Sequence, residues 1–141
     1  MVPGYHRPAA VKVNLGAIRR NLENEMKHLD PGQKMLAVVK ANAYGHGAVQ
    51  ISQKLNQMGI SSFAVATLSE AIELRENNIT GDILILGYTD AKQAKLIHQY
   101  QLIQTVVDYE HALALEQEQI DIQVHIAVDS GMHRLGLTLA Q

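Results

Sequence analysis

Lys40 stands where a lysine can do covalent chemistry. It closes an apolar run at 35–39 and opens the string Lys40-Ala-Asn-Ala-Tyr-Gly-His-Gly47. At the carboxyl end of a parallel strand, side chains converge on the face where such folds place their active sites. A lysine partly withdrawn from water there holds a larger share of neutral amine, the form a Schiff-base nucleophile needs. The small residues Ala41, Ala43, Gly45 and Gly47 let backbone and ligand approach closely. Taken alone, a snorkelling lysine at a strand end, followed by an ordinary turn, accounts for the same residues. Gly45-His-Gly47 fits neither the P-loop nor the dinucleotide glycine fingerprint. Tyr44 by itself reads as a half-buried packing tyrosine. Arg134, in the glycine-bearing segment 129–136, reads by itself as a surface arginine.

The elements that must position these residues follow from hydrophobic period. Five short apolar, β-branched runs, at 35–39, 62–66, 82–86, 102–107 and 122–128, are too short for helices and too continuous for half-exposed strands. They read as strands buried on both faces. Helical stripes lie between them, such as Ala48, Ile51, Leu55 and Met58. Thr67-Leu-Ser-Glu70 has the form of a capping box, in which hydroxyl and carboxylate each satisfy a first-turn backbone N–H. Asp90 and Asp108 fit as caps of the next two helices. An earlier amphipathic helix carries Leu15, Ile18, Leu22, Met26 and Leu29 on one face, after an alternating segment at 10–15. The strand spacing of roughly 20–27 residues fits strand, crossover helix and two loops, repeated. The expected fold is an α/β array of parallel (β/α) repeats, part of a TIM-type (β/α)8 barrel. Residues 1–141 form one domain in this reading, with no linker or shift of composition. A whole barrel takes about 250 residues, so the expectation is a barrel incomplete at its C-terminal end, with exposed sheet edges.

Composition removes other classes. Lysine and arginine number 12 and are intermixed with acids to a net charge of −2, so nucleic-acid binding has no electrostatic footprint. The chain has no cysteine, which excludes disulfides, thiolate metal sites and a cysteine nucleophile. His6, His28, His46, His98, His111, His125 and His133 show no helical zinc spacing and no cluster with Asp or Glu, so no metal is expected. No apolar run approaches the ~18–20 residues of a membrane span, and no signal sequence is evident; a cytoplasmic location is the expectation.

The whole string from Val39 to Gly47 resembles the cofactor-lysine signature of the alanine racemases. His6-Arg-Pro8 and the segment Leu15-Gly-Ala-Ile-Arg-Arg-Asn21 are similar to that family's opening. Phe63-Ala-Val-Ala-Thr-Leu-Ser-Glu-Ala-Ile-Glu-Leu-Arg75 and Ile83-Leu-Ile-Leu-Gly87 resemble its following strands, and Asp129-Ser-Gly-Met-His-Arg-Leu-Gly136 its second diagnostic motif. These matches occur in order over essentially the whole chain.

The resemblance implies a pyridoxal 5′-phosphate-dependent racemase. Lys40 would hold the cofactor as a Schiff base and, once freed, move the α-proton on the face serving the D-enantiomer. Tyr44 would reach the cofactor phosphate. Arg134 would bond the cofactor's phenolic oxygen and help hold the substrate carboxylate, double duty that suits a planar fork of donors. Leu86 would pack at the cofactor's edge. The implied substrate is alanine, with serine as a variant, and the implied assembly a homodimer supplying D-alanine for peptidoglycan. A non-catalytic cofactor-binding protein or structural fragment is the competing class. Two positions depart from the family's pattern. Ala127 stands where many members carry a lysine that becomes carbamylated and orients the motif arginine, so no carbamate is expected. His133 stands where many have glycine, and is expected to face solvent. The family's second base, its phosphate-cradling backbone and the arginine facing the pyridine nitrogen match no residue of 1–141. Weak racemisation and poor cofactor retention are therefore expected of this chain alone.

Overall fold

The computed structural model describes residues 11–138. The earlier segment His6-Arg-Pro8 and the first residue of the alternating segment at 10–15 lie outside the described residues. Five parallel strands form one sheet in sequence order: β1 (Ala37–Val38), β2 (Ser62–Val65), β3 (Asp82–Ile85), β4 (Ile103–Val106) and β5 (Gln123–Ile126). Parallel pairing without reversal, with a helix in each crossover, is the pattern of consecutive units of a (β/α) barrel wall.

Among the described residues six helical segments accompany the sheet: α1 (Leu15–Met26), α2 (Lys40–Tyr44, a single turn of left-handed backbone), α3 (Ala48–Gln57), α4 (Leu68–Glu76), α5 (Ala94–Gln99) and α6 (Tyr109–Gln117). A short 3-10 turn, Ala91–Gln93, leads into α5. Thr67, Asp90 and Asp108 each cap as expected, their side chains accepting the N–H groups of Glu70, Lys92 and His111. Asp108→Ala should lower stability by about 1 kcal/mol through loss of its 2.7 Å cap bond to His111. Urea unfolding of the two chains checks the figure.

The strand register explains how the layers divide. Ala37 faces Phe63, Phe63 faces Ile83, and Ile85 faces Gln104. Side chains alternate along each strand, so Phe63, Val65, Ile83 and Ile85 share one face. There they are buried with Ile51 and Leu55 of α3, Ala71 and Leu74 of α4, and Ile97 of α5. The opposite face carries Ala64, Leu84 and Ile103, with Leu86 packed against them.

Three helices return the chain to the sheet by the same device. The N–H of Ile60 bonds Leu55 O, that of Ile79 bonds Leu74 O, and that of Leu102 bonds Ile97 O, at 2.9 to 3.1 Å. Each bond follows a left-handed residue, Gly59, Asn78 or Gln101, and each bonded residue is buried. This is the Schellman ending, a six-to-one bond with its apolar contact. Arg75 ties two of these endings together, donating to the carbonyls of Tyr100, Ile79, Gly81 and Gln101.

Two expectations need correction. The outer strands are not buried on both faces: β5 is exposed along its length, and Val38 of β1 is exposed, because each stands at an edge of the sheet. On the α1 stripe, Ile18 and Leu22 pack on the core, but Leu15, Met26 and Leu29 are exposed.

Candidate active site

Lys40 directly follows the end of β1. Val39 continues the ladder by donating to Ala64 O at 2.8 Å, and Lys40 is half-buried. Its amine makes no hydrogen bond or ion pair with another described residue. The residues after it do not make an ordinary turn. Ala41, Asn42, Ala43 and Tyr44 have φ of 51 to 54°, a left-handed helical turn.

For L residues this conformation costs roughly 1–2 kcal/mol each, so the four cost about 4–8 kcal/mol together. A dense set of bonds offsets it. Ala43 N–H donates to Val39 O, Gly45 N–H to Ala41 O, and Gly47 N–H to Asn42 O. The Asn42 side chain accepts the N–H of Ala48 at 2.8 Å and so caps α3. His46 Nδ1 bonds Ala43 O at 2.9 Å. The small residues here are thus needed by the backbone itself: alanine and asparagine tolerate the left-handed region where a β-branched residue would not.

Glu70 completes the turn from outside. Its carboxylate accepts the N–H of Ala41 at 2.8 Å and that of Ala66 at 2.7 Å. The expected capping box is therefore half formed. Thr67 caps α4, but the carboxylate reaches back one residue further, to Ala66, and across to the turn beside Lys40.

Arg134 lies at the other edge, in the loop that follows β5. That loop is pinned to the carboxyl ends of two strands. Gly136 N–H donates to Val107 O, Leu137 N–H to Ala127 O and Asp129 N–H to Leu137 O, each at 2.9 Å. Inside it, Asp129 Oδ1 accepts the N–H groups of Gly131 and His133, and Oδ2 bonds His133 Nδ1 at 3.0 Å. His133 thus has one acidic partner. Its ring is nevertheless exposed, as expected. The guanidinium of Arg134 is exposed and bonds no other described residue.

The backbone N–H groups of His133 and Gly131 hold the Asp129 carboxyl below its ordinary value, against a smaller opposing effect of desolvation. A lowered folded value means that the carboxylate's contribution is fully present above the unfolded aspartate value of about 3.9. It is lost as pH falls through the folded value. The loop should therefore resist proteolysis unchanged from neutral pH down to about pH 4, and open only in stronger acid. Asp129→Ala should open it at neutral pH, read by the same cleavage.

Tyr44 is 62% exposed, so the half-buried packing role does not describe it. Leu86 is partly buried on the Ala64–Leu84–Ile103 face. Lys40, Tyr44 and Arg134 share the carboxyl end of the sheet, but no hydrogen bond joins them. β1 and β5 are four strand spacings apart, about 19 Å along the sheet. In an eight-stranded ring those positions stand on opposite sides of the mouth. Carried along the sheet, the register sets the position of Lys40 level with Ala66, Leu86, Thr105 and His125. Ala66 leaves room beside Lys40, whose amine, without a partner among the described residues, suits an aldehyde, and the Arg134 guanidinium, likewise unpartnered among them, suits an oxyanion. The residues present fit pyridoxal phosphate.

Comparison with known proteins decides the kinship. Residues 13–141 match the family model described as alanine racemase, N-terminal domain. The chain belongs to the alanine racemase family. An alanine racemase of Lactobacillus acidophilus is 54% identical over 140 residues, covering 96% of this chain and 37% of that protein. A serine/alanine racemase of Enterococcus gallinarum is 46% identical over 122 residues, covering 86% of this chain and 18% of that protein. The crystal structure of alanine racemase from E. faecalis superposes with a TM-score of 0.90 at 41% identity, covering 97% of this chain and 38% of that one. The family member described here thus spans little more than a third of the alanine racemases it matches. Its five parallel strands correspond to part of their barrel domain.

Glu70, Asn42, Asp129 and Gly136 were not singled out by sequence reasoning as residues that build the site. The first was visible only as a helix cap, and the others only as letters of the two motifs.

Proposed function

We propose that this chain supplies the cofactor lysine, and one of two proton-transfer groups, of a pyridoxal 5′-phosphate-dependent racemase acting on alanine. The observation that carries the proposal is Lys40: a half-buried amine, unpaired among the described residues, at the carboxyl end of β1 and followed by a strained and heavily bonded turn. Bound pyridoxal phosphate supplies an electron sink for the charge left on Cα when a proton is removed.

The chain's residues do the rest. Lys40 Nζ would hold the cofactor at its aldehyde carbon, with loss of water, and as a free amine would accept or return the proton at the substrate's Cα. Arg134 would offer its fork of donors to the phenolic oxygen and the substrate carboxylate, and the Tyr44 hydroxyl would bind the phosphate. Asp129 and Gly136 hold the loop that aims Arg134. With alanine at 127 there is no lysine to carbamylate, and Arg134 takes its orientation from this loop. The working assembly is a homodimer in the cytoplasm, producing D-alanine for the cell wall. Serine is the second substrate reading, favoured by the likeness to the serine/alanine racemase.

Trapping tests the proposal. The chain is incubated with pyridoxal phosphate, reduced with borohydride and mapped by mass spectrometry. The pyridoxyl group is expected on Lys40; labelling spread over several lysines would overturn the assignment. A chain with one proton-transfer group should also exchange the α-proton of D-alanine with deuterated water faster than it racemises it.

A further inference from the structure

Glu70 occupies the position from which a capping-box carboxylate accepts the N–H of the capping residue, here Thr67. Both of its oxygens go elsewhere. Oε2 accepts from Ala66, the residue after β2, and Oε1 accepts from Ala41, 29 positions earlier in the chain. One half-buried side chain therefore joins the carboxyl ends of two neighbouring strands, and one of its bonds falls on the residue next to Lys40. Ala41 is also the first of the four left-handed residues. The bond from Glu70 comes from a different element of the fold, whereas the other bonds of the turn run within residues 39–48.

We propose that Glu70 is the positioning residue for Lys40. By holding the entry to the left-handed turn against β2, it sets the direction in which the lysine leaves the sheet. The inference rests on reading Lys40 as the cofactor lysine. Glutamate is well matched to this role, because an ionised carboxylate offers two acceptors and no donor, and its bonds to N–H groups are charge-assisted. A glutamine in its place would turn an NH2 group towards one of the two N–H donors. A turn that opens lowers the population able to bind, and apparent affinity falls by the same factor.

The test compares Glu70→Gln with Thr67→Ala, which loosens the same end of α4 but leaves the carboxylate bridge in place. Three quantities are read: cofactor titration by visible absorbance with borohydride trapping, amide hydrogen exchange at Ala41 and Ala66, and thermal unfolding. Glu70→Gln is expected to weaken cofactor binding about tenfold or more, the factor for one lost charge-assisted bond, and to speed exchange at Ala41. Thr67→Ala is expected to melt earlier yet titrate as the wild type. Glu70→Asp keeps the charge but is too short to reach both donors, so it should fall between; it carries the comparison if the glutamine variant does not fold.

Wild-type titration by Glu70→Gln would overturn the inference. So would losses of binding in both variants that simply track their losses of thermal stability. A wild-type chain that traps no cofactor on Lys40 overturns the racemase reading instead. The clamp is then judged by exchange alone, and equal rates at Ala41 in wild type and Glu70→Gln overturn it.

Discussion

Lys40→Ala should abolish cofactor attachment while leaving the protein folded. After incubation with pyridoxal phosphate and reduction, the variant should carry no pyridoxyl group in the peptide spanning 40, and the visible absorbance of the bound aldehyde should be absent. The loss is complete because the amine is the covalent partner, and no neighbouring side chain can replace it. Among the described lysines, Lys12 precedes α1, Lys27 and Lys34 follow it, Lys54 lies on α3, Lys92 and Lys95 lie in the 3-10 turn and α5, and none ends a strand. Stability should change little, within about 1 kcal/mol, since the amine bonds no described residue. Lys40→Arg sharpens the result. It keeps the positive charge but cannot form a Schiff base, so residual binding in that variant would measure the electrostatic part alone. Full labelling of the Lys40→Ala chain would sink the assignment.

Gly136→Ala should damage the opposite side of the mouth. Gly136 has a φ of +110°, and a Cβ added there would stand 2.7 Å from Asp129 N, 2.9 Å from Val128 C and 3.1 Å from Ala127 C. All three are backbone atoms, held by the bonds that close the loop, so none can swing aside. Backbone strain and overlap together should cost about 2–4 kcal/mol. That cost falls on the loop and is comparable to the two N–H bonds that the Asp129 carboxylate accepts, about 1.5–3 kcal/mol each, so the loop should open before the sheet does. The expected signature is rapid exchange at the amides of Gly131 and Gly136 with near-normal exchange at Phe63 and Ile83. Cofactor trapping on Lys40 should persist but weaken, because Arg134 is no longer aimed. Loop exchange equal to the wild type would contradict this account.

The sheet was legible in sequence because its signal is periodic. Runs buried under α3 and α4, such as 62–66 and 82–86, must be apolar throughout, and a parallel crossover forces their spacing. Edges were not legible: Ile126 and Val124 are as apolar as Ile83 and Ile85, and only pairing tells an exposed strand from a covered one. The cap at Thr67 was readable because it is local, whereas the destination of Glu70 was not, since it depends on a contact 29 residues away. The turn after Lys40 was misread for a related reason. Alanine is a common helix residue of ordinary hand, and nothing in Ala41-Asn-Ala43 announces a reversal of hand. Lys40, Tyr44 and Arg134 themselves were named through family resemblance; as single residues in strand ends and loops they carry no periodic signal.

The left-handed turn also bears on how this segment can change over evolutionary time. Four consecutive positions admit a narrow alphabet, because β-branched and bulky residues are penalised there whatever the protein binds. Selection for backbone handedness and selection for the cofactor therefore act on the same letters, 41 to 44. A descendant that gave up the cofactor but kept the fold would retain Ala-Asn-Ala and its flanking glycines, and would be free to lose Lys40. Within the signature, Lys40 and the hydroxyl of Tyr44 are the parts that record chemistry, and Ala-Asn-Ala records architecture.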